Sequence, residues 1–192
     1  RGHRLPVRLG GVLVTSGLHQ GCDAPTRLTA VSGGGTRLSA DEHRARAYEH
    51  EGLGRLLAES NHEWAAVALF YAAYHHVKAA LVEDVIFDDY DSCQALNPGL
   101  LPDDRFTTRH QGRKQTSAGR EWGINELVLV LYRSAAGTYE RLHQASVDVR
   151  YQSGLRASVA EVAALYDKFE ELRATGALTS PAVYRPEDES RT

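Results

Sequence analysis

Methionine is absent from this chain of 192 residues, position 1 included, so residue 1 is not read as a translation start. Cysteine is scarce: Cys22 and Cys93 lie far apart and outside any metal-ligand spacing, which suits free thiols in a reducing compartment and argues against a disulfide scaffold. Charge of one sign is lacking too. A net charge of -3 gives no general attraction to nucleic acid or an anionic membrane, so any such binding must come from a local cluster. No apolar run escapes interruption by charge, since the longest, Ser60 to Glu83, carries His75, His76 and Lys78 in its middle; no membrane span is expected. Leu9 to Leu18 is broken by Gly10, Gly11, Thr15 and Ser16 and makes a poor signal sequence, so a cytoplasmic location is expected. Catalytic signatures are missing as well. There is no G-x-S-x-G, no Cys with an activating His and helix start, and no phosphate loop, because Ser32 to Thr36 (SGGGT) lacks both a preceding strand and a Lys.

What is present is helix. Ser60 to Glu83, SNHEWAAVALFYAAYHHVKAALVE, contains neither Gly nor Pro and is apolar nearly all round, the pattern of a helix enclosed by others. Trp64, Ala68, Tyr71, His75 and Val82 fall on one stripe, and Ser60 with Glu63 reads as a capping box. Before it, a helix from Ser39 or Asp41 presents Ala47, Tyr48, Leu53, Leu56 and Leu57, weakened by Gly52 and Gly54. After it come the acidic FDDYD segment and the loop LNPGLLPDDR. A second strong helix runs from about Asn125 to Gln144, expected antiparallel to the first, and SVDVRYQSGLR breaks at Gly154. A last helix opens at Ser158 with a capping box to Glu161 and stops near Gly176. No strand pattern stands out. The fold expected is all-α, an up-down bundle of four or five helices over residues 39–176, with flexible tails at 1–38 and 177–192.

Residues 103–121 are the most polar and basic stretch, carrying Arg105, Arg109, His110, Arg113, Lys114 and Arg120. An Arg and a His five residues apart suit RNA cleavage: imidazole moves a proton near neutral pH and guanidinium stabilises the extra negative charge of a phosphorane-like transition state, neither needing a metal. The composition yields such spacings by chance, Arg44 to His50 being another, so context has to decide. Two Glu-x-x-His pairs, Glu59 to His62 and Glu140 to His143, resemble di-iron ligand spacing, but the first straddles the capping box and no inward Glu completes a site, so no metal and no cofactor are expected. His75 shares the stripe of Tyr71, where a neutral core imidazole is favoured over a site role.

Taken together, WAAVALFYAAYHHVKAAL, the basic loop with His-x-x-Arg (His110, Arg113), and LVLYRSAAGTYERL running into SVDVRY resemble bacterial HEPN (higher eukaryotes and prokaryotes nucleotide-binding) domains over residues 41–174. The resemblance implies a HEPN-like bundle, usually a symmetric homodimer, and in many members a metal-independent endoribonuclease of toxin or defence type acting through Arg-x4-6-His. Arg105 and His110 match that motif, here with Phe106 directly after the Arg and the segment preceding a helix. A related subset matches His110, Arg113, Arg150 and Tyr151 instead. The resemblance thus implies Arg105 and His110 as catalytic residues, Arg109, Arg113, Lys114, Arg150 and Tyr151 as RNA or phosphate contacts, and His75 and Tyr71 as supporting residues. RNA or a nucleotide is the implied ligand, with an antitoxin or nucleotidyltransferase as a possible partner. The alternative is a non-catalytic HEPN-like module that binds a nucleotide, a nucleic acid or a protein.

Overall fold

In the computed structural model, residues 37–116 and 119–181 are described, without the side chains of residues 113–120. The two expected tails therefore fall largely outside the described residues, as does Cys22. The fold is an all-α helical bundle.

Helix α1, Ala40–Glu59, starts as the sequence indicates: the Ser39 hydroxyl accepts from the Glu42 N–H and the Glu42 carboxylate accepts from the Ser39 N–H. Its buried face differs from the expected one. Ala40, His43, Ala47 and Gly54 are buried, while Tyr48, Leu53 and Leu56 are exposed. The cause is α2, Ala65–Glu83, which is rich in alanine and lets α1 approach closely along its small residues. At Gly54 a Cβ would lie 2.6 Å from Leu69 Cδ2, so only glycine fits this approach.

Helix α2 is the centre of the bundle, in contact with α1, with α5 (Arg133–Tyr151) and with α6 (Val159–Ala174). Its length and composition would suit a membrane span, but 78% of its apolar window is buried by these neighbours, as befits a core helix. It begins later than its pattern suggested. Ser60 is the C-cap of α1, its hydroxyl donating to Leu57 O (2.9 Å), and Asn61 takes a left-handed φ of 54°, so no capping box forms with Glu63. His62 Nδ1 instead accepts from the Trp64 N–H (3.2 Å), and Trp64 caps α2 with its side chain 48% exposed, outside the buried stripe.

Between α2 and the second half, Asp84 opens a 3-10 turn (Val85–Asp88) and Asp89 caps α3, Tyr90–Leu96, accepting from the Ser92 N–H (2.9 Å). Cys93 on α3 is a buried free thiol. The basic stretch, expected as loop, forms a short antiparallel pair, β1 (Arg113–Thr116) with β2 (Gly119–Glu121). The helix expected over 125–144 is two helices: α4, Ile124–Leu131, and α5, hinged at Tyr132 (φ −119°, ψ 51°). Tyr132 is buried with its hydroxyl donating to Asp84 Oδ2 (3.0 Å), a contact that draws it off the helical path. Helix α5 also continues through SVDVRY, which places Arg150 and Tyr151 on its last turn. Helix α6 carries the expected Ser158 and Glu161 box, and Gly176 (φ 85°) follows its end.

Candidate functional site

The segment carrying Arg105 to His110 is fastened at both ends. From α2, the ammonium of Lys78, only 2% exposed, donates to Arg105 O (2.9 Å) and Thr107 O (2.7 Å), and burial lowers its pKa to about 8. From the other side, α4 offers its first free N–H groups: Ile124 N–H donates to Arg109 O (2.8 Å) and Asn125 N–H to His110 O (3.0 Å). Gly112 and Gly123 make this possible, because a Cβ on either would run into the backbone of the opposite strand of chain. Thr107 Oγ1 donates to Trp122 O (3.0 Å), and Trp122 Nε1 to Gly99 O (2.6 Å).

This anchoring turns the His110 ring toward α2 and α5. Its centroid lies 5.4 Å from Phe70, 5.1 Å from Tyr74 and 6.4 Å from Tyr71, and it stacks on His143 of α5 at 5.2 Å and 27°. His143 also packs on Phe70 (4.9 Å), and its Nδ1 lies 3.0 Å from the Asn125 side-chain amide. Two turns further along α5, Arg150 donates to Ser146 O (3.1 Å), Ser146 Oγ (2.9 Å) and Tyr71 OH (3.4 Å), with its guanidinium over the Tyr71 ring at 5.7 Å. Burial first, and then the charge of Arg150, lowers the pKa of His110; burial, His110 and Arg150 together bring His143 down to about 4. Both imidazoles are therefore neutral at neutral pH. Among the described residues, His110 Nδ1 and Asn125 Oδ1 are buried without a hydrogen-bond partner.

The sequence-derived residues divide between surroundings. Arg105 turns away: Nη1 is paired with Asp88 Oδ1 (2.9 Å), its guanidinium lies over Phe106 (5.1 Å), and no described hydrogen bond, ion pair or ring contact joins it to His110. Arg109 is exposed and ion-paired with Glu121. Arg113 and Lys114 lie on β1, their side chains outside the described residues. Tyr71 and Arg150 belong to the His110 cluster, and Tyr151, 71% exposed, flanks the Arg150 guanidinium at 5.0 Å. His75 faces α1. Its Nδ1 is 2.9 Å from His43 Nδ1, it stacks on His50 at 5.4 Å, and burial followed by its histidine neighbours lowers its pKa to about 3. It meets the cluster through an edge contact with Tyr74 (5.1 Å) and, by way of His50, through Tyr71, whose ring lies 5.6 Å from that of His50.

Sequence reasoning passed over His143, Asn125 and Lys78. His143 was read only as the end of a Glu-x-x-His pair, yet Tyr139, His143, Ser146 and Arg150 recur at steps of three and four, which marks one face of α5. Chemically, the cluster combines two neutral imidazoles, a guanidinium flanked by the exposed Tyr151 and a half-buried Tyr71, a set that can bind a phosphodiester and move protons beside it. No protein family, curated protein or solved structure matches the chain in comparison with known proteins.

Proposed function

We propose that the protein is a metal-independent endoribonuclease of the HEPN type. The observation that supports this reading best is the His110 and His143 pair beside Arg150, with His110 Nδ1 buried and unpartnered. In the proposed reaction His110, neutral at pH 7, removes the proton of a ribose 2′-OH, whose oxygen attacks the adjacent phosphorus. Charge builds on the non-bridging oxygens and is stabilised by guanidinium. The P–O5′ bond breaks, the 5′-oxygen takes the proton that His110 removed from the 2′-OH, and the products are a 2′,3′-cyclic phosphate and a 5′-hydroxyl. Arg150 is the guanidinium whose charge already bears on both rings; Arg105 takes that part only after release from Asp88. Arg109, Arg113 and Lys114 would contact neighbouring phosphates, which fixes register without reading bases. RNA is then the ligand, a homodimer the assembly and the cytoplasm the setting, with an antitoxin or nucleotidyltransferase as a candidate partner.

A second reading, a non-catalytic module that binds RNA or a nucleotide, draws on the ion pairs that occupy Arg105 and Arg109. Purified protein incubated with mixed RNA in EDTA separates the two. Cleavage that disappears in His110→Ala and Arg150→Ala supports the nuclease; binding without cleavage supports the module.

A further inference from the structure

On the α6 side of α2, three helices bring together a ligand set that the nuclease reading does not use. We propose that Glu51 of α1, His76 of α2 and Glu170 of α6 form a binding site for one divalent transition-metal ion. Their ligand atoms all lie within 4.8 Å of one another. His76 is only 4% exposed, and its Nε2 is buried without a hydrogen-bond partner. Glu170 Oε1 is 3.6 Å away. That is too long for a hydrogen bond, but it is close to the roughly 3.4 Å that separates two ligands of a tetrahedral ion with bonds of about 2.1 Å.

A second buried polar atom points to the same place. Tyr166, one turn before Glu170 on α6, has its hydroxyl buried and unpartnered among the described residues, and its ring lies 5.2 Å from the Arg55 guanidinium that reaches Glu51. Unpartnered buried polar atoms are rare in a finished interior, and a bound cation accounts for the His76 nitrogen. The carboxylates are already held in place. Arg173 donates to Glu170 Oε2 at 2.6 Å and only at 3.0 Å to Oε1, the oxygen nearest His76, while Arg55 reaches Glu51 Oε1 at 3.3 Å. Such outer contacts orient ligands and preset the site. His76 and Arg173 also line a cleft of about 630 Å³. One imidazole and two carboxylates select zinc or manganese over magnesium, which keeps its waters and prefers oxygen alone. Because the ligands come from three helices, the ion would act as a clasp on the bundle.

The test uses the full chain after chelator treatment, titrated with ZnCl2 by calorimetry and followed by thermal unfolding. The expected result is one Zn2+ per chain and a midpoint raised by about 5–10 °C at a hundredfold excess over Kd, with no shift in MgCl2. His76→Ala and Glu170→Gln should each weaken binding at least tenfold. His143→Ala and His50→Ala should leave it unchanged, which separates this site from the other histidine clusters. Glu51→Gln, at a half-buried position, serves where His76→Ala fails to fold, and Co2+ absorption reports the ligand set directly. Absence of saturable binding, or binding that survives His76→Ala and Glu170→Gln, overturns the proposal, as does loss in His50→Ala instead.

Discussion

Gly52 and Gly54 lie two residues apart on α1, and the same substitution should act on them with opposite sign. At Gly54 an added Cβ meets Leu69 Cδ2 at 2.6 Å, Cγ at 2.7 Å and the backbone N at 3.2 Å. Leu69 is wholly buried, so it has no free volume to move into, and the backbone atom cannot yield unless α1 moves away from α2. Overpacking of this kind costs about 1–3 kcal/mol. Alanine returns about 0.5–1 kcal/mol through helix propensity. The net for Gly54→Ala is thus a loss of about 1–2 kcal/mol. At Gly52 a Cβ meets nothing within 4 Å, and only the propensity gain of about 0.5–1 kcal/mol remains. Urea unfolding of the two variants should therefore place their stabilities roughly 2 kcal/mol apart, on either side of the parent. Equal effects, or a Gly54→Ala protein as stable as the parent, would show that α1 and α2 are not in the close contact described.

Lys78→Met keeps the aliphatic stem but leaves the carbonyls of Arg105 and Thr107 unpaired, so the amides of Ile124 and Asn125, which donate to the same segment, should exchange hydrogen at least about tenfold faster while those of α6 hold. Tyr132→Phe removes a buried hydrogen bond to Asp84 and should cost about 1.5–3 kcal/mol, measured by denaturant unfolding. The pKa of His143 falls from an unfolded 6.5 to about 4, so its neutral form favours the fold: its contribution is complete above pH 6.5 and is lost as pH falls toward 4. From this group stability should fall with pH across that window, by less than the roughly 1.4 kcal/mol per pH unit of a fully buried group because solvent screens the half-buried ring, and His143→Gln should flatten that slope. His110 is lowered likewise, so the acid limb of kcat/KM for RNA cleavage should lie below pH 6.5.

The parts of this fold that were legible in the sequence are those whose cause is local. The Ser158 and Glu161 box, the Ser39 start of α1 and the all-round apolarity of α2 each act within a few residues, and each appears in the structure. The Ser60 and Glu63 pattern has the same letters as a capping box, but Asn61 in the left-handed region carries the chain into a turn, and Ser60 closes α1 instead. The break at Tyr132 depends on Asp84, 48 residues away, which no helical period reports. Likewise, the buried face of α1 follows from the close approach at Gly54, where glycine is a contact and not a weakness. For the site, His110 could be picked out by residue type. Arg150 entered only through the family resemblance and His143 only as part of a Glu-x-x-His spacing, because their meeting with His110 needs α5 to run unbroken to Tyr151 and the loop to be tied down by Lys78.

The central claim is that the His110 cluster cleaves RNA without metal. The most direct measurement is the rate of cleavage of a labelled RNA in excess EDTA by the parent protein and by His110→Ala, His143→Ala and Arg150→Ala, each checked for folding by circular dichroism. The account predicts products ending in 2′,3′-cyclic phosphate, with rates at least about a hundredfold lower in His110→Ala. A folded parent that leaves RNA intact, or a His110→Ala variant that cleaves at the parent rate, would contradict it.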